Sequence, residues 1–160
     1  MNLILFDDPA IRTELLPFTF TRPISKIRVG ILTIAEKWEH WLNTTASFKT
    51  VDYLQHKYKL CHEADNLLIN GALCPDEKLV AAIAALAPGK YLVKDNILIA
   101  ACQPEGALHE HNTIAYTESI TLIDKPWKIF TENGAQIKTD FARITAKRKQ
   151  IAITDKHTVV

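Results

Sequence analysis

The sequence has few cysteines and no long apolar run, and each absence excludes a class of protein. The three cysteines are odd in number and far apart in the chain, which favours free thiols in a reducing compartment over a disulfide framework. No apolar run approaches the roughly 20 residues of a membrane-spanning helix. The first run, residues 2–6, is too short for a signal peptide because Asp7 and Asp8 follow it directly. We therefore expect a cytoplasmic protein with no membrane partner.

The sequence also has no excess of positive or negative charge. The chain has 19 basic and 18 acidic residues, for a net charge of +1, so its composition does not predict binding to nucleic acid or to a membrane surface. It also lacks the Gly-x-Ser-x-Gly turn of serine hydrolases and the Gly-Lys-Ser/Thr phosphate loop. What is present is a chain of 160 residues with 48% apolar and 23% charged side chains, which is typical of one ordinary globular domain.

Continuous apolar runs alternate with helical patterns in the first half of the chain. Residues 3–6 and 66–70 have the composition of buried parallel strands. Between them, Thr33 and Glu36 form a capping-box pattern at the start of an amphipathic helix, and a further helix is predicted at about residues 75–87. This order predicts an α/β fold with a mostly parallel sheet, in which the two strands are neighbours with their carboxyl ends at one edge.

Weaker patterns predict the remaining elements. In chain order they are a strand at 48–51, a short helix at 53–60, a hairpin of strands 91–93 and 97–101, a polar loop at 103–112, strands at 114–116 and 120–123, and a helical stretch from Pro126 that is interrupted at Asn133-Gly134. We expect one domain over residues 1–150, followed by residues 151–160 as a separate short segment.

Four cations lie close together in the chain after the first strand: Arg12, Arg22, Lys26 and Arg28. Guanidinium groups bind phosphate through two parallel hydrogen bonds, so the cluster indicates an anion site near a strand end. A solvated basic loop with salt bridges to nearby acidic residues explains the same charges, and composition alone leaves both interpretations open. We expect anions here rather than at His109 and His111, a weak metal-site pattern with no third ligand nearby.

Polar residues also follow two of the predicted strands. Asp7 and Asp8 follow the first strand, where they either hold magnesium or cap a helix or turn. Asn70 and Gly71 lie at the end of a second strand, at the same expected edge of the sheet. There they either contact a base or sugar or form a tight turn. Both alternatives stay open for each pair.

The stretch at residues 15–23 carries a specific resemblance to a known family. It reads Leu-Leu-Pro-Phe-Thr-Phe-Thr-Arg-Pro and resembles the Leu-x-Pro-Leu-Thr-x-x-Arg-Pro-Lys run of sugar nucleotidyltransferases. The chain is most similar to the divergent nucleotidyltransferase domain that begins the Bacteroidetes-type bifunctional UDP-N-acetylglucosamine pyrophosphorylase/glucosamine-1-phosphate acetyltransferase. The segment at residues 70–75 and the order of elements fit that family too.

The resemblance implies a Rossmann-like nucleotidyltransferase fold and a reaction. A uridylyl group passes from UTP to a sugar 1-phosphate such as N-acetylglucosamine 1-phosphate, pyrophosphate is released, and Mg²⁺ is the cofactor. The residues given roles by the resemblance and by their charge are Arg22 and Lys26 in catalysis, Arg12, Arg28, Asn70 and Gly71 in nucleotide or phosphate binding, and Asp7 and Asp8 in metal binding.

The chain departs from the family pattern in three places. Residues 8–13 lack the glycines of the family's phosphate loop, Ile24 replaces the lysine that follows Arg-Pro, and Ala72 replaces a metal-binding aspartate. These departures favour the alternative of a degenerate domain that binds nucleotide or only assembles a larger protein. In the family a β-helix acyltransferase domain follows. Residues 151–160 are then a tail or the start of a missing domain through which homo-oligomers form.

Overall fold

The computed structural model describes residues 1–102, 112–146 and 148–149. Its strands are β1 (Asn2–Phe6), β2 (Ala46–Lys49), β3 (Asn66–Asn70), β4 (Leu73–Cys74), β5 (Tyr91–Lys94), β6 (Ile97–Cys102), β7 (Thr113–Ala115) and β8 (Thr121–Leu122). Its helices are α1 (Pro9–Glu14), α2 (Ile34–Leu42), α3 (Asp52–Gln55), α4 (Glu77–Ala84), α5 (Pro126–Thr131) and α6 (Asn133–Thr145), with a 3₁₀ helix at Ile24–Lys26. His109, His111 and residues 151–160 lie outside the described residues, as does nearly all of the predicted polar loop.

A six-stranded sheet in the order β2-β1-β3-β6-β5-β7 forms the centre of the fold. β1 pairs in parallel with both β2 and β3, and its residues Leu3, Ile4 and Leu5 are at most 1% exposed. β6 runs antiparallel to its two neighbours, and β7 is parallel to β5. Five of the six strands therefore point in one direction. This confirms the predicted Rossmann-like α/β fold and the pairing of the first and third strands.

Local sequence signals account for the starts of two helices near the first strand. The Asp8 carboxylate accepts hydrogen bonds from the N–H groups of Ala10 and Ile11 and so caps α1. The predicted capping box is formed at α2, where Thr33 and Glu36 each accept a hydrogen bond from the other's main-chain N–H. Each cap satisfies N–H groups that have no partner within the helix.

Tertiary contacts shift the predicted strand and helix that follow α2. β2 begins two residues earlier than predicted and ends at Lys49, because its partner β1 ends at Phe6 directly opposite. α3 stops at Gln55, well before residue 60. The chain turns back there, since the Phe48 N–H donates a hydrogen bond to the Lys59 carbonyl at 3.0 Å. Both predictions were therefore right in type and wrong in their boundaries.

Later helix boundaries differ as well. α4 begins at Glu77, two residues later than predicted, because Asp76 caps it from an extended backbone conformation. The break in the C-terminal helical stretch falls at Glu132, one residue before the predicted position. Asn133 is the first residue of α6, and its side-chain oxygen accepts a hydrogen bond from the Gly30 N–H at 2.8 Å. This contact fixes the start of α6 against the loop before α2.

The hairpin of β5 and β6 is formed as predicted. Asp95 and Asn96 connect the strands and both have positive φ, the conformation of a two-residue turn that matches the twist of its strands. β8 pairs with β4 in a separate two-stranded sheet. Within the part of the chain that the structure describes, no helix is both long enough and apolar enough to cross a membrane.

Candidate functional site

A cleft of about 460 Å³ opens at the carboxyl ends of β1 and β2. This edge is where open α/β sheets bind ligands, and small-molecule sites have volumes of roughly 300–1,000 Å³. The residues that line the cleft are Asp7, Pro9, Arg12, Thr13, Leu16, Phe20, Lys49, Thr50, Val51 and Tyr53. They come from the region of β1 and α1, from the loop after α1, and from the region of β2 and α3.

An ion pair between Asp7 and Arg12 lies in the wall of the cleft. The Arg12 Nη1 atom is 2.8 Å from Asp7 Oδ2, and the two side chains are only 9% and 4% exposed. Asp7 also accepts hydrogen bonds from the Thr50 hydroxyl at 2.6 Å and from the Ile24 N–H at 2.8 Å. Burial raises the pKa of Asp7 above its ordinary value, although these hydrogen bonds and the Arg12 charge oppose the rise. Asp7 thus ties β1 to the 3₁₀ helix and to the end of β2.

Arg12 connects the loop after α1 to the rest of the cleft. Its Nη1 also donates to the Arg22 carbonyl at 3.3 Å, and its Nη2 donates to the Thr19 carbonyl and to the Tyr53 hydroxyl, the latter at 3.1 Å. Both terminal nitrogens therefore have acceptors within the protein. A phosphate at Arg12 would have to replace one of these acceptors.

Three polar residues between the end of β2 and α3 line the cleft but were missed in the sequence. Lys49 ends the strand and is exposed, Thr50 bonds to Asp7, and Tyr53 bonds to Arg12. The signal that could have found them is the parallel pairing of β1 and β2, since residues that follow parallel neighbours meet at the same edge. The predicted strand at 48–51 was placed too far along the chain to indicate that Lys49 ends it.

Arg22 is not among the residues that line the cleft, but its main chain contacts the lining residue Arg12, and we call this position the rim of the cleft. Its side chain is exposed, and its guanidinium has no hydrogen-bonding or ion-pairing partner among residues 1–102, 112–146 and 148–149. Its main-chain carbonyl accepts the hydrogen bond from Arg12, so the side chain begins next to the cleft wall. Arg22 is thus available for a charged ligand, and its role in catalysis stays a prediction.

The structure places Lys26 and Arg28 away from the cleft lining, beside Glu36. The Lys26 Nζ atom lies 4.7 Å from the centre of the Phe48 ring, and Arg28 Nη2 lies 3.8 Å from Glu36 Oε2. Burial favours a higher pKa for Glu36, but hydrogen bonds from Thr33 and the charges of Arg28 and Lys26 outweigh it and lower the pKa. The four cations of the sequence therefore form two groups, with Arg12 and Arg22 at the cleft.

Asn70 and Gly71 hold the turn after β3 against β1. Asn70 is fully buried, its amide donates to the Leu98 carbonyl at 3.1 Å, and its side-chain oxygen accepts an N–H within the turn. The Gly71 N–H donates to the Phe6 carbonyl at 2.8 Å, and a Cβ on Gly71 would lie 3.1 Å from that oxygen. The close approach that needs glycine here is thus to β1. Contact of this pair with a ligand stays a prediction.

Asp8 fits a magnesium ion better than Asp7 does. Mg²⁺ in phosphate-transfer sites takes one or two carboxylates together with substrate phosphates. The Asp7 oxygens are occupied by Arg12 and by two hydrogen bonds. Asp8 uses Oδ1 to cap α1, and its Oδ2 has no hydrogen-bond partner among the described residues. Among the described residues, including Asp7 and Asp8, no group of three or more His, Cys, Asp or Glu side chains could hold a metal ion.

The chain matches the family model of sugar nucleotidyl transferases over residues 3–149. This range contains every residue that lines the cleft. No curated protein matches the chain in the sequence search.

Proposed function

Because the chain belongs to the sugar nucleotidyl transferase family, we propose that it transfers a uridylyl group from UTP to a sugar 1-phosphate such as N-acetylglucosamine 1-phosphate. The observation that carries the proposal is the cleft at the carboxyl ends of β1 and β2, with exposed Lys49 in its lining and exposed Arg22 at its rim. The resemblance of residues 15–23 and 70–75 to the Bacteroidetes-type bifunctional enzyme supports the choice of substrates. It also supports a cytoplasmic location and a place at the start of such an enzyme.

In the proposed reaction, a phosphate oxygen of the sugar 1-phosphate attacks the α-phosphorus of UTP. The bond from that phosphorus to the bridging oxygen breaks, and pyrophosphate leaves. Negative charge builds on the phosphates in the transition state, so cations positioned there lower the barrier. We assign this role to Arg22, with Lys49 in the cleft lining and with Lys26 and Arg28 as further candidates from the resemblance. Magnesium, which neutralises triphosphate charge when bound, would be held by Asp8.

A domain that binds nucleotide or assembles a larger protein without turnover is the second candidate function. The observation that favours it is the mutual neutralisation of Asp7 and Arg12. This ion pair removes one carboxylate and one guanidinium from direct phosphate or metal contact. The replacement of the family's metal-binding aspartate by buried Ala72 points the same way.

A pyrophosphate-release assay separates the two candidates. The protein is incubated with Mg²⁺, each common nucleoside triphosphate and a set of sugar 1-phosphates. We expect release with UTP and N-acetylglucosamine 1-phosphate, and a loss of about a hundred-fold or more in Arg22→Ala, because removal of one such electrostatic contact typically costs that much in rate. Lys138→Ala, which removes an exposed cation on α6, should keep the wild-type rate. Absence of release with every substrate pair would contradict transfer and leave the second candidate.

A further inference from the structure

We propose that the cleft binds the nucleobase of the nucleotide against the rings of Phe20 and Tyr53, and that the phosphates lie towards the exposed cations Lys49 and Arg22. This inference rests on the proposed function, since it names the part of the nucleotide that the cleft takes. Leu16, Phe20, Val51 and Tyr53 provide apolar surface in the lining. A flat, largely apolar base face fits such a surface, because aromatic rings stack on every base.

The Tyr53 ring is held in place before any ligand arrives. Its hydroxyl donates to the Phe20 carbonyl at 2.8 Å and accepts from Arg12 Nη2 at 3.1 Å. The side chains of Phe20 and Tyr53 are nevertheless each 57% exposed. A ring that is fixed at its polar end and open on its apolar surface is preorganised for stacking, because little side-chain freedom is lost on binding.

The charges in and around the cleft favour this arrangement, with the base inside the cleft and the phosphates beside the exposed cations. Inside the cleft, the Arg12 charge is compensated by Asp7 at 2.8 Å, and its terminal nitrogens are engaged by protein acceptors. A phosphate in that position would compete with the Asp7 carboxylate for the guanidinium. Arg22, in contrast, is exposed and has no partner among the described residues. Phosphates are therefore attracted to the exposed cations Arg22 and Lys49, while the part of the cleft around the compensated Asp7–Arg12 pair accepts an uncharged ring.

A sugar ring suits the same cleft less well. Sugar hydroxyls need hydrogen-bond partners, because an unsatisfied polar group that leaves water costs free energy. The polar groups of Asp7, Arg12 and Tyr53 already bond to one another or to nearby residues. The surface left over in the cleft is mainly apolar, which favours the base over the sugar.

The test measures binding of each part of the nucleotide separately. Isothermal titration calorimetry is carried out with UTP, with the common nucleosides, with inorganic tripolyphosphate and with N-acetylglucosamine 1-phosphate. The proteins are wild type, Phe20→Ala, Tyr53→Leu and Phe18→Ala. Phe18 is the matched control because it lies in the same loop, is 49% exposed and does not line the cleft. Circular dichroism confirms that each variant is folded, and the exposed Phe20 and Phe18 can be removed without opening the core.

We expect Phe20→Ala and Tyr53→Leu to weaken binding of UTP and of its nucleoside by the same factor, about five-fold to a hundred-fold. Tripolyphosphate affinity should not change in Phe20→Ala, and Phe18→Ala should bind every probe like wild type. The proposal is overturned if wild type binds no nucleoside, if Phe20→Ala weakens tripolyphosphate or the sugar phosphate instead, or if Phe18→Ala has the same effect as Phe20→Ala.

Failure of the base site and failure of the proposed transfer reaction give different results. If a nucleoside binds in a Phe20-dependent way but wild type releases no pyrophosphate with any substrate pair, transfer is contradicted and the base site stands. If wild type releases pyrophosphate while Phe20→Ala keeps the same KM for UTP, the base site is contradicted and transfer stands.

Discussion

Asp7 and Asp8 are adjacent and chemically identical, yet they make different contacts. Asp7 is 4% exposed at the side chain and pairs with Arg12, whereas Asp8 caps α1 from the next position. Successive side chains at the end of a strand point to opposite sides, so one carboxylate faces the cleft wall and the other faces the start of α1. The cap at Asp8 is one of the two interpretations that the sequence left open, and its free Oδ2 keeps the metal role as a prediction.

The first prediction separates these two roles of Asp8. Asp8→Asn should keep the wild-type thermal midpoint, because Asn caps helices as well as Asp does. It should lose most magnesium-dependent pyrophosphate release, because an amide is a poor ligand for Mg²⁺. Asp8→Ala should lose the same activity and about 1 kcal/mol of stability. If Asp8→Asn turns over at the wild-type rate across a magnesium titration, Asp8 is not the metal carboxylate.

The position of Arg12 could be predicted from the sequence, but its contacts could not. Its place soon after a strand puts it at the ligand-binding edge, and the structure has it there. Its bond to Tyr53 joins residues 41 positions apart, and a single sequence contains no local pattern for such a pair. The same limit applies to Lys49, which became a cleft residue only through the register of β2 with β1.

At the scale of elements, the start of α2 followed a local rule, whereas other helix boundaries followed tertiary contacts. The capping box of α2 was read from two residues three positions apart. The end of α3, in contrast, is set by a hydrogen bond between Phe48 and Lys59, and the start of α6 is set by its contact with Gly30. Boundaries that depend on distant partners could therefore not be predicted from local patterns.

α6 is attached to α2 through a buried ion pair. Asp140 accepts from the Lys37 ammonium and from the N–H groups of Ile31 and Leu32 at 2.9 and 3.1 Å. Both charged side chains are at most 4% exposed. Loss of one partner of a buried pair leaves an uncompensated charge, which typically costs about 3–5 kcal/mol. The contact therefore anchors the C-terminal helix to the fold.

The second prediction tests this anchor with two glycines that share a backbone conformation. Gly30 and Gly89 have φ of +92° and +76°, so alanine at either site costs about 1–2 kcal/mol of strain. A Cβ on Gly30 would also lie 2.6 Å from Asp140 Oδ2, whereas one on Gly89 would meet no atom within 4 Å. Gly30→Ala should therefore lower the free energy of unfolding by about 3 kcal/mol more than Gly89→Ala, since it displaces the buried pair.

Urea unfolding followed by circular dichroism measures this difference. Gly134, which is helical and also meets no atom within 4 Å, provides a further control. Gly134→Ala should stabilise the protein by about 0.5–1 kcal/mol, because alanine is the better helix former. Equal losses in Gly30→Ala and Gly89→Ala would show that the contact between α6 and the Gly30 loop contributes little to stability.

At the scale of the whole molecule, the sequence predicted which strands meet but not the complete sheet order. The apolar runs at β1 and β3 and the rule of right-handed crossovers placed these two strands side by side, and the structure confirms the pairing. The antiparallel insertion of β6 between β3 and β5 was not predicted. A hairpin leaves open which of its two strands joins the existing sheet, because both edges present the same backbone groups.

The last prediction concerns the pH dependence of global stability through Cys74. Burial raises the pKa of this thiol from 9.0 to about 12. Between these two values the unfolded chain has lost the thiol proton and the folded protein retains it, so the folded state binds more protons. The free energy of unfolding therefore falls as pH rises from 9 towards 12, by about 1.4 kcal/mol per pH unit for one group. The contribution is fully present below pH 9.

Urea unfolding at pH 8 and pH 10.5, with wild type and Cys74→Ala, tests this expectation. All other ionisable groups are the same in both proteins, so their effects cancel in the comparison. Wild type should lose about 2 kcal/mol more than Cys74→Ala between the two pH values, whatever the alanine costs at pH 8. An equal loss in both would mean that the Cys74 thiol ionises in the folded protein as readily as in the unfolded chain. The burial of Cys74, which is 1% exposed in the core, would then not exclude a thiolate.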